Sequence, residues 1–284
     1  MRHYPWDRRP GASLALSGRQ ELAPGRRSHK VSAHGKLGRM RRPALTLLSL
    51  LLLLALCVQA SASMAPRARV LVFTKTEGWH HDSIPAAVAA LQRLGAQEGM
   101  QVDHSEDAAD FSTAHLARYQ AVVFANTTLD VLDPEQQAAM EGFVREGGGF
   151  MGIHAAADTE YDWPWYGELV GTWFKSHPPG LQTSQVLFED EDAKAPKEWT
   201  VTDELYNYRS NPRGHVQVLA TVQEADYDGG TMGADHPIAW CHAFDGGRSW
   251  YTGLGHGIAL YADPVFLAEL RRGLRYAAGI SASC

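Results

Sequence analysis

GGGFMGIHAAAD, residues 147–158, has the pattern of a buried strand that leaves a glycine cluster and ends at a histidine among small residues. In several open α/β enzymes, a tight turn between a strand and a helix carries a Ser or Cys nucleophile at this position, and small neighbours permit the bend. Here His154 occupies the position of the nucleophile. The stretch therefore predicts an α/β fold whose strand end presents an imidazole.

Strand and helix patterns alternate on the N-terminal side of this stretch. The segments 68–74, 100–105 and 119–125 are predicted to be short strands of a buried sheet. Helices are predicted after Ser83, as N-cap, and from Asp133, which is followed by a proline. This alternation predicts right-handed crossovers and a mostly parallel, doubly wound sheet with helices on both faces.

The pattern changes after His154. Residues 159–214 are rich in Trp, Tyr, Pro and acidic residues, and they predict an insertion that covers the sheet edge. Further strands are predicted at 215–222, 236–244 and 248–256, followed by a closing helix at 264–278. No internal repeat or long linker is visible, which favours one domain.

The first sixty residues have the features of a targeting segment. Residues 44–56, ALTLLSLLLLLAL, are preceded by arginines and followed by small residues, and the run is short for a membrane span. We predict a non-native or disordered extension at 1–39, a signal peptide at 40–62 and a single domain at 63–284. The protein would then be secreted or periplasmic, without stable membrane insertion after cleavage. A membrane anchor and a lipid on Cys57 are the alternatives.

Charge and cysteine content restrict the partners. The 284 residues carry 26 Lys or Arg and 32 Asp or Glu, which gives a formal net charge of −6. Eleven of the basic residues but two of the acidic ones precede residue 63, so the remainder has a net charge near −15. This argues against nucleic acid or an anionic membrane as partner. With only Cys241 and Cys284 left after cleavage, a disulfide framework is not expected.

Polar side chains follow four of the predicted strands. In an open parallel sheet, the ligand crevice lies outside the carboxyl ends of the strands. The residues at those ends are His80–Asp82, Asn126, Thr127, His154, Asp158 and His256. A single histidine at a strand end is often only a hydrogen-bonded turn residue. The topology brings all four segments together, and this convergence favours a functional site.

Two kinds of chemistry fit the histidines. Zinc or a similar divalent metal is bound by neutral imidazoles and carboxylates, and a catalytic site keeps one position open. The candidate metal ligands are His81, His154 and His256, with His177 and His236 as alternates. Without a metal, the same three imidazoles could act as general acid and base. The sequence has no HExxH or CxxC motif that would distinguish the two.

The aromatic insertion is of a kind that suits a sugar. Sugar C–H faces pack on aromatic rings, while hydroxyl groups take directional hydrogen bonds from polar neighbours. The predicted substrate-binding residues are Asp82, Asn126, Trp165, Glu204 and Arg209. The alternative is that Trp165 and its neighbouring tryptophans form the core of the insertion itself.

Several long motifs occur in the order of a known family. They are KTEGWHHDSI at 75–84, GGGFMGIHAAADTEYDWPWYGELVG at 147–171, FKSHP at 174–178, DELYNYRSNPR at 203–213 and MGADHPIAWCHAFDGGRSWYTGLGH at 232–256. Over roughly residues 68–279, the chain resembles the ThuA-like family, named for trehalose utilisation. The resemblance implies a flavodoxin-like fold similar to that of class I glutamine amidotransferases, with extra strands.

Glutamine hydrolysis is not expected. His154 stands where an amidotransferase carries its Cys nucleophile, and His256 is followed by Gly257 and Ile258 instead of a Pro-Glu pair. Cys241 lies within a predicted strand and is badly placed to replace the thiol.

The family resemblance suggests a substrate, because ThuA-like proteins are associated with dehydrogenases that oxidise a glucosyl unit to a 3-keto sugar. A ketone at C3 acidifies the hydrogen at C2, so a base can remove it and the group at C1 can leave. We expect an exported protein of carbohydrate catabolism that cleaves 3-keto glycosides such as oxidised trehalose by acid/base or metal-assisted chemistry. The alternative is a non-catalytic carbohydrate-binding or regulatory module. A homodimer is a further expectation left open by the sequence.

Overall fold

A nine-stranded sheet organises the part of the chain that the structure describes. The computed structural model describes residues 68–189 and 196–284, so the predicted extension and signal peptide lie outside the described residues. The strands are β1 (Ala68–Phe73), β2 (Met100–Ser105), β3 (Ala121–Ala125), β4 (Gly149–Ile153), β5 (Phe174–Ser176), β6 (Gln182–Phe188), β7 (Glu198–Asp203), β8 (Asn207–Tyr208), β9 (Gln217–Val222), β10 (Pro237–Phe244) and β11 (Gly247–Thr252).

The sheet has a parallel half and an antiparallel half. Its strand order is β2-β1-β3-β4-β11-β10-β9-β6-β7. The five strands from β2 to β11 pair in parallel, and the strands from β11 to β7 pair antiparallel. Because β11 lies next to β4, the carboxyl ends of β1, β3, β4 and β11 share one edge. The predicted α/β fold with a mostly parallel central sheet is confirmed.

The insertion differs from the prediction in one respect. The sequence predicts that it covers the sheet edge, whereas its strands β6 and β7 belong to the sheet and are the last two strands at one edge. Strands β5 and β8 form a separate two-stranded sheet. Buried and more exposed residues alternate along parts of β6 and β7. This pattern suits antiparallel strands near a sheet edge, where one face packs on the core and the other faces solvent.

Five α-helices occur in the described residues: α1 (Ile84–Gln97), α2 (Thr113–Leu116), α3 (Pro134–Arg145), α4 (Pro164–Val170) and α5 (Pro264–Ala277). Asp133 caps α3 as predicted, since its carboxylate accepts from the backbone N–H groups of Glu135 and Gln136. Ser83 occupies the N-cap position of α1 but makes no side-chain cap. No helix among the described residues is long and apolar enough to cross a bilayer.

A disulfide joins Cys241 in β10 to Cys284 after α5, with 6.4 Å between the Cα atoms. It ties the end of the chain to a buried strand of the sheet. The sequence predicted no disulfide framework because only two cysteines follow the predicted cleavage site. The fold brings them together when α5 packs along β11 and β4.

Reduction of this disulfide is expected to destabilise the protein. Closing a loop of 43 residues restricts the unfolded chain by about 4 kcal/mol in the chain-entropy description. Thermal unfolding followed by circular dichroism should therefore show a lower midpoint after reduction. The double variant Cys241→Ala/Cys284→Ala is the control, and its midpoint should not respond to reductant. Equal midpoints for the oxidised and reduced wild-type protein would contradict the expectation.

Two glycines allow a matched test of packing. A Cβ on Gly149, at the start of β4, would overlap the backbone carbonyl of Ala277. A Cβ on Gly142, inside α3, would meet nothing within 4 Å. We expect Gly149→Ala to lower the free energy of unfolding by about 3 kcal/mol or more, and Gly142→Ala to raise it by about 0.5–1 kcal/mol. Urea denaturation measures both, and a tolerated Gly149→Ala would contradict the close approach of α5 to β4.

Candidate metal-binding site at the strand ends

His154 stands at a bend of the kind used for nucleophile elbows. Strand β4 ends at Ile153, and His154 has φ 51°, in the left-handed region that non-glycine residues rarely adopt. The Tyr251 hydroxyl donates to the carbonyl oxygen of His154 at 2.9 Å and holds the bend. A Cβ on Gly152 would come within 2.9 Å of the Tyr251 ring, which explains the small residue before the turn.

The His154 imidazole is buried and its tautomer is fixed. Nδ1 lies 2.8 Å from the carbonyl oxygen of Gly253, and a carbonyl can only accept, so Nδ1 carries the hydrogen. In the neutral ring, Nε2 then carries a lone pair, and it lies 3.4 Å from the Oε2 atom of Glu204. A lone pair that faces a carboxylate is stable only if a proton or a metal ion supplies positive charge.

Two further histidines complete a triangle around this point. The ring centroids are separated by 5.0 Å for His81–His154, 5.2 Å for His81–His256 and 5.3 Å for His154–His256. Buried Nδ1 of His81, Nε2 of His154 and Nδ1 of His256 have no well-aligned hydrogen bond within the described part of the chain. With a Glu204 oxygen, their potential ligand atoms all lie within 4.8 Å of one another.

The electrostatics favour a neutral imidazole beside an anionic carboxylate. Burial, reinforced by the neighbouring His154 and His256, lowers the pKa of His81 to about 3, so this ring is neutral at physiological pH. Burial opposes ionisation of Glu204, but the nearby imidazoles of His154 and His256 outweigh it and hold its pKa below the usual range. Glu204 in turn raises the pKa of His256. A bound cation would displace that proton.

Asp203 fixes the segment that carries His256. Its carboxylate accepts from the backbone N–H groups of Gly255 and Gly257, each at 2.7 Å, and from that of His256 at 3.3 Å. Asp203 is the last residue of β7 and directly precedes Glu204. The end of β7 therefore places the Asp203 carboxylate against the loop of His256 and the Glu204 carboxylate next to the three histidines.

A hydrogen-bonded network joins the other strand ends to the same loop. The Ser83 hydroxyl donates to the carbonyl of Gly255 at 3.0 Å, and the Asn126 amide donates to Ser83 at 3.1 Å. Tyr261 also donates to the Gly255 carbonyl, at 2.9 Å. Ser83 itself has helical backbone angles, φ −80° and ψ −10°, instead of the extended conformation of a capping residue, which explains why its oxygen accepts no hydrogen bond from the first turn of α1.

Three members of the cluster, His81, Glu204 and His256, line a cavity of about 240 Å³. The cavity is lined by Trp79, His81, Asp158, Phe174, His177, Glu204, Tyr206 and His256. Tyr206 packs on the His154 ring with 4.1 Å between centroids, whereas Trp79 keeps 71% of its surface exposed. The cavity therefore combines polar and aromatic lining residues.

Three of the five predicted metal ligands converge, one lines the cavity and one lies apart from the cluster. His81, His154 and His256 come together, and His177 lines the cavity with Nδ1 3.2 Å from Oε1 of Glu204. The alternate His236 does not join them. Its Nε2 donates to the Tyr206 carbonyl at 2.8 Å and its Nδ1 lies 3.1 Å from the Tyr227 hydroxyl, so both nitrogens have hydrogen-bond partners.

Of the predicted substrate-binding residues, Glu204 lies in the cluster and the other four do not line the cavity. Asp82 is exposed, and Asn126 is buried in the network described above. Trp165 stacks on Trp163 and donates to Asp245 at 2.9 Å. The Arg209 guanidinium lies over the Tyr161 ring, 4.2 Å from its centroid.

Sequence reasoning missed three aromatic lining residues, Trp79, Phe174 and Tyr206. Trp79 precedes the His80–His81 pair and carried a usable signal, because a large apolar side chain stood within a polar loop at a strand end. Phe174 and Tyr206 lie in the insertion, where the composition is aromatic throughout and marks no single residue.

Known structures share this fold. A ThuA-like protein from Bacteroides uniformis ATCC 8492 is 22% identical, with a TM-score of 0.65 over 77% of this chain and 94% of that chain. One from Parabacteroides merdae ATCC 43184 is 19% identical, with a TM-score of 0.62 over 76% and 91% of the two chains. A comparison with curated protein sequences gave no match.

The family comparison covers most of the described residues. The sequence model of a family described as trehalose utilisation matches residues 69–277, which include every member of the histidine cluster and every residue that lines its cavity. The chain therefore belongs to the ThuA family, whose description connects it with carbohydrate utilisation.

Proposed function

We propose that His81, His154, His256 and Glu204 bind a divalent metal ion, and that the cavity above them cleaves 3-keto glycosides. The observation that carries the proposal is the convergence of three buried imidazole nitrogens, without well-aligned hydrogen bonds, on one carboxylate. Buried polar atoms are normally satisfied, and an exception at a converging set of donors points to a ligand.

The donor set fits zinc or a similar ion. Three imidazoles and one carboxylate are ligands that such metals accept. The contact between His154 Nδ1 and the Gly253 carbonyl is the kind of outer contact that orients a metal-bound imidazole. A bound ion would supply Lewis acidity to a substrate carbonyl.

The cavity walls suit a sugar. Trp79, Phe174 and Tyr206 offer aromatic surface, and Asp158 and His177 offer polar atoms. A volume of about 240 Å³ is below the roughly 300–1,000 Å³ of pockets for drug-sized ligands. One sugar ring would fill it, while the exposed Trp79 would contact a second unit at the mouth.

The membership of the ThuA family supports a substrate from carbohydrate metabolism. In a 3-keto glycoside, loss of the C2 proton gives an enolate that expels the C1 substituent, so the site must stabilise an oxygen anion and accept a proton. The cluster is suited to the first task. Asp158 and His177 line the cavity outside the cluster and are suited to exchange protons with the substrate.

We also propose that the protein works outside the cytoplasm. The apolar run at 44–56 supports this location. The disulfide between Cys241 and Cys284 supports it too, because disulfides persist mainly in oxidising compartments.

Metal binding can be tested directly. Purified protein freed of metal and titrated with zinc should bind one equivalent, measured by calorimetry and by elemental analysis after gel filtration. His154→Ala should weaken binding by at least tenfold, because it removes a buried ligand. His80→Ala is the matched control, since His80 is exposed and lies outside the cluster, and it should bind zinc like the wild-type protein. Equal affinities for all three proteins would contradict the site.

The reaction can be tested with 3-keto trehalose. The zinc-loaded protein should release glucose, and chelation of the metal or His154→Ala should lower kcat by at least about a hundredfold. Chromatography of the products measures the release. Sugar binding without turnover by the zinc-loaded protein, or binding that survives His154→Ala unchanged, would favour the non-catalytic carbohydrate-binding module over the enzyme.

A further inference from the structure

We propose that Asp158 is the catalytic base that removes the C2 proton of the 3-keto glycoside. This inference rests on the proposed function, because it assigns the proton acceptor within the same cavity.

Asp158 belongs to the same rigid turn as His154. The two residues are the first and last of a short 3-10 helix that follows β4. Asp158 lines the cavity together with His81, Glu204 and His256, but it is not one of the four residues whose ligand atoms converge. A substrate bound above the cluster would therefore lie beside a carboxylate that holds no metal.

One oxygen of Asp158 is engaged and the other is available. Oδ1 accepts a hydrogen bond from the Tyr161 hydroxyl, and no hydrogen bond to Oδ2 occurs among residues 68–189 and 196–284. The Tyr161 ring is itself covered by the Arg209 guanidinium at 4.2 Å. The carboxylate is thus oriented by one contact and keeps one oxygen for the substrate. Burial raises the pKa of Asp158, which makes it a stronger base than an exposed aspartate.

His177 is the competing base. Its Nδ1 lies 2.8 Å from the Pro178 carbonyl and 3.2 Å from Oε1 of Glu204, so this histidine is held to a member of the cluster. It follows β5, a three-residue strand of the small separate sheet, whereas Asp158 is fixed to the central sheet through the turn after β4. The geometry therefore favours Asp158 for proton removal.

The step balances without a further reactant. The C2–H bond breaks, its proton goes to Oδ2 of Asp158, and its electron pair moves toward the C3 carbonyl oxygen as an enolate. A lone pair of the enolate oxygen then re-forms the C3 carbonyl, and the C2–C3 π pair forms a C1–C2 double bond while the C1–O bond breaks. The leaving oxygen takes the electrons of that bond and the proton from Asp158. The products are an unsaturated 3-keto sugar and a free alcohol.

Asp158→Asn is the decisive variant, since the amide keeps the shape of the side chain and can still accept from Tyr161. It should lower kcat on 3-keto trehalose at least about a hundredfold, while zinc affinity stays within threefold of the wild-type value. Asp162→Asn is the matched control, because Asp162 is exposed and does not line the cavity, and it should retain wild-type kcat. In Asp158→Ala, added formate should restore part of the activity, which a purely structural role would not allow.

Three results would overturn the inference. Asp158→Asn with more than a tenth of the wild-type kcat would do so, and so would a hundredfold loss in His177→Gln alone. Absence of formate rescue in a folded, zinc-binding Asp158→Ala would also count against it. Failure of the proposed function looks different, because the zinc-loaded wild-type protein would then leave 3-keto trehalose intact, and the assignment of Asp158 would fall with it.

Discussion

Three imidazole nitrogens and a carboxylate face one another in a buried space, and their lone pairs repel unless positive charge lies among them. This requirement explains much of the surrounding structure. The Gly253 carbonyl directs the lone pair of His154 inward, and Asp203 holds the loop of His256. Residues such as Gly253 and Asp203, which would otherwise count as ordinary parts of the core and loops, therefore stabilise the arrangement of the three imidazoles and Glu204.

The bend at His154 has the backbone conformation of a nucleophile elbow but carries an imidazole instead of a nucleophile. A nucleophile elbow exposes one side chain at a strand end by placing its residue in the left-handed region. A metal ligand needs the same exposure toward a crevice, but also a fixed tautomer. The left-handed backbone of His154, which the Tyr251 hydroxyl stabilises, provides the exposure. The Gly253 carbonyl fixes the tautomer.

The sequence predicted the part of the site that parallel topology controls. His81, His154 and His256 follow strands whose carboxyl ends must share an edge, so their convergence could be inferred without side-chain geometry. Glu204 follows β7, whose place depends on the order of β10, β9, β6 and β7, and hydrophobic periodicity does not carry that long-range pairing. Glu204 was therefore predicted as a substrate contact instead of a cluster member. Composition was a weaker guide still, because Trp165 of the aromatic insertion lies outside the cavity.

The histidines show what separates a structural residue from a functional one. His236 is as buried as His154 and also lies near acidic groups, but each of its nitrogens has a partner that explains it. In His154 only Nδ1 is explained, and Nε2 is aimed at the other members of the cluster. Burial alone therefore does not identify the site, whereas convergence of several buried nitrogens on one carboxylate without a well-aligned hydrogen bond does. The cluster has this property, and His236 lacks it because the Tyr227 hydroxyl contacts its Nδ1.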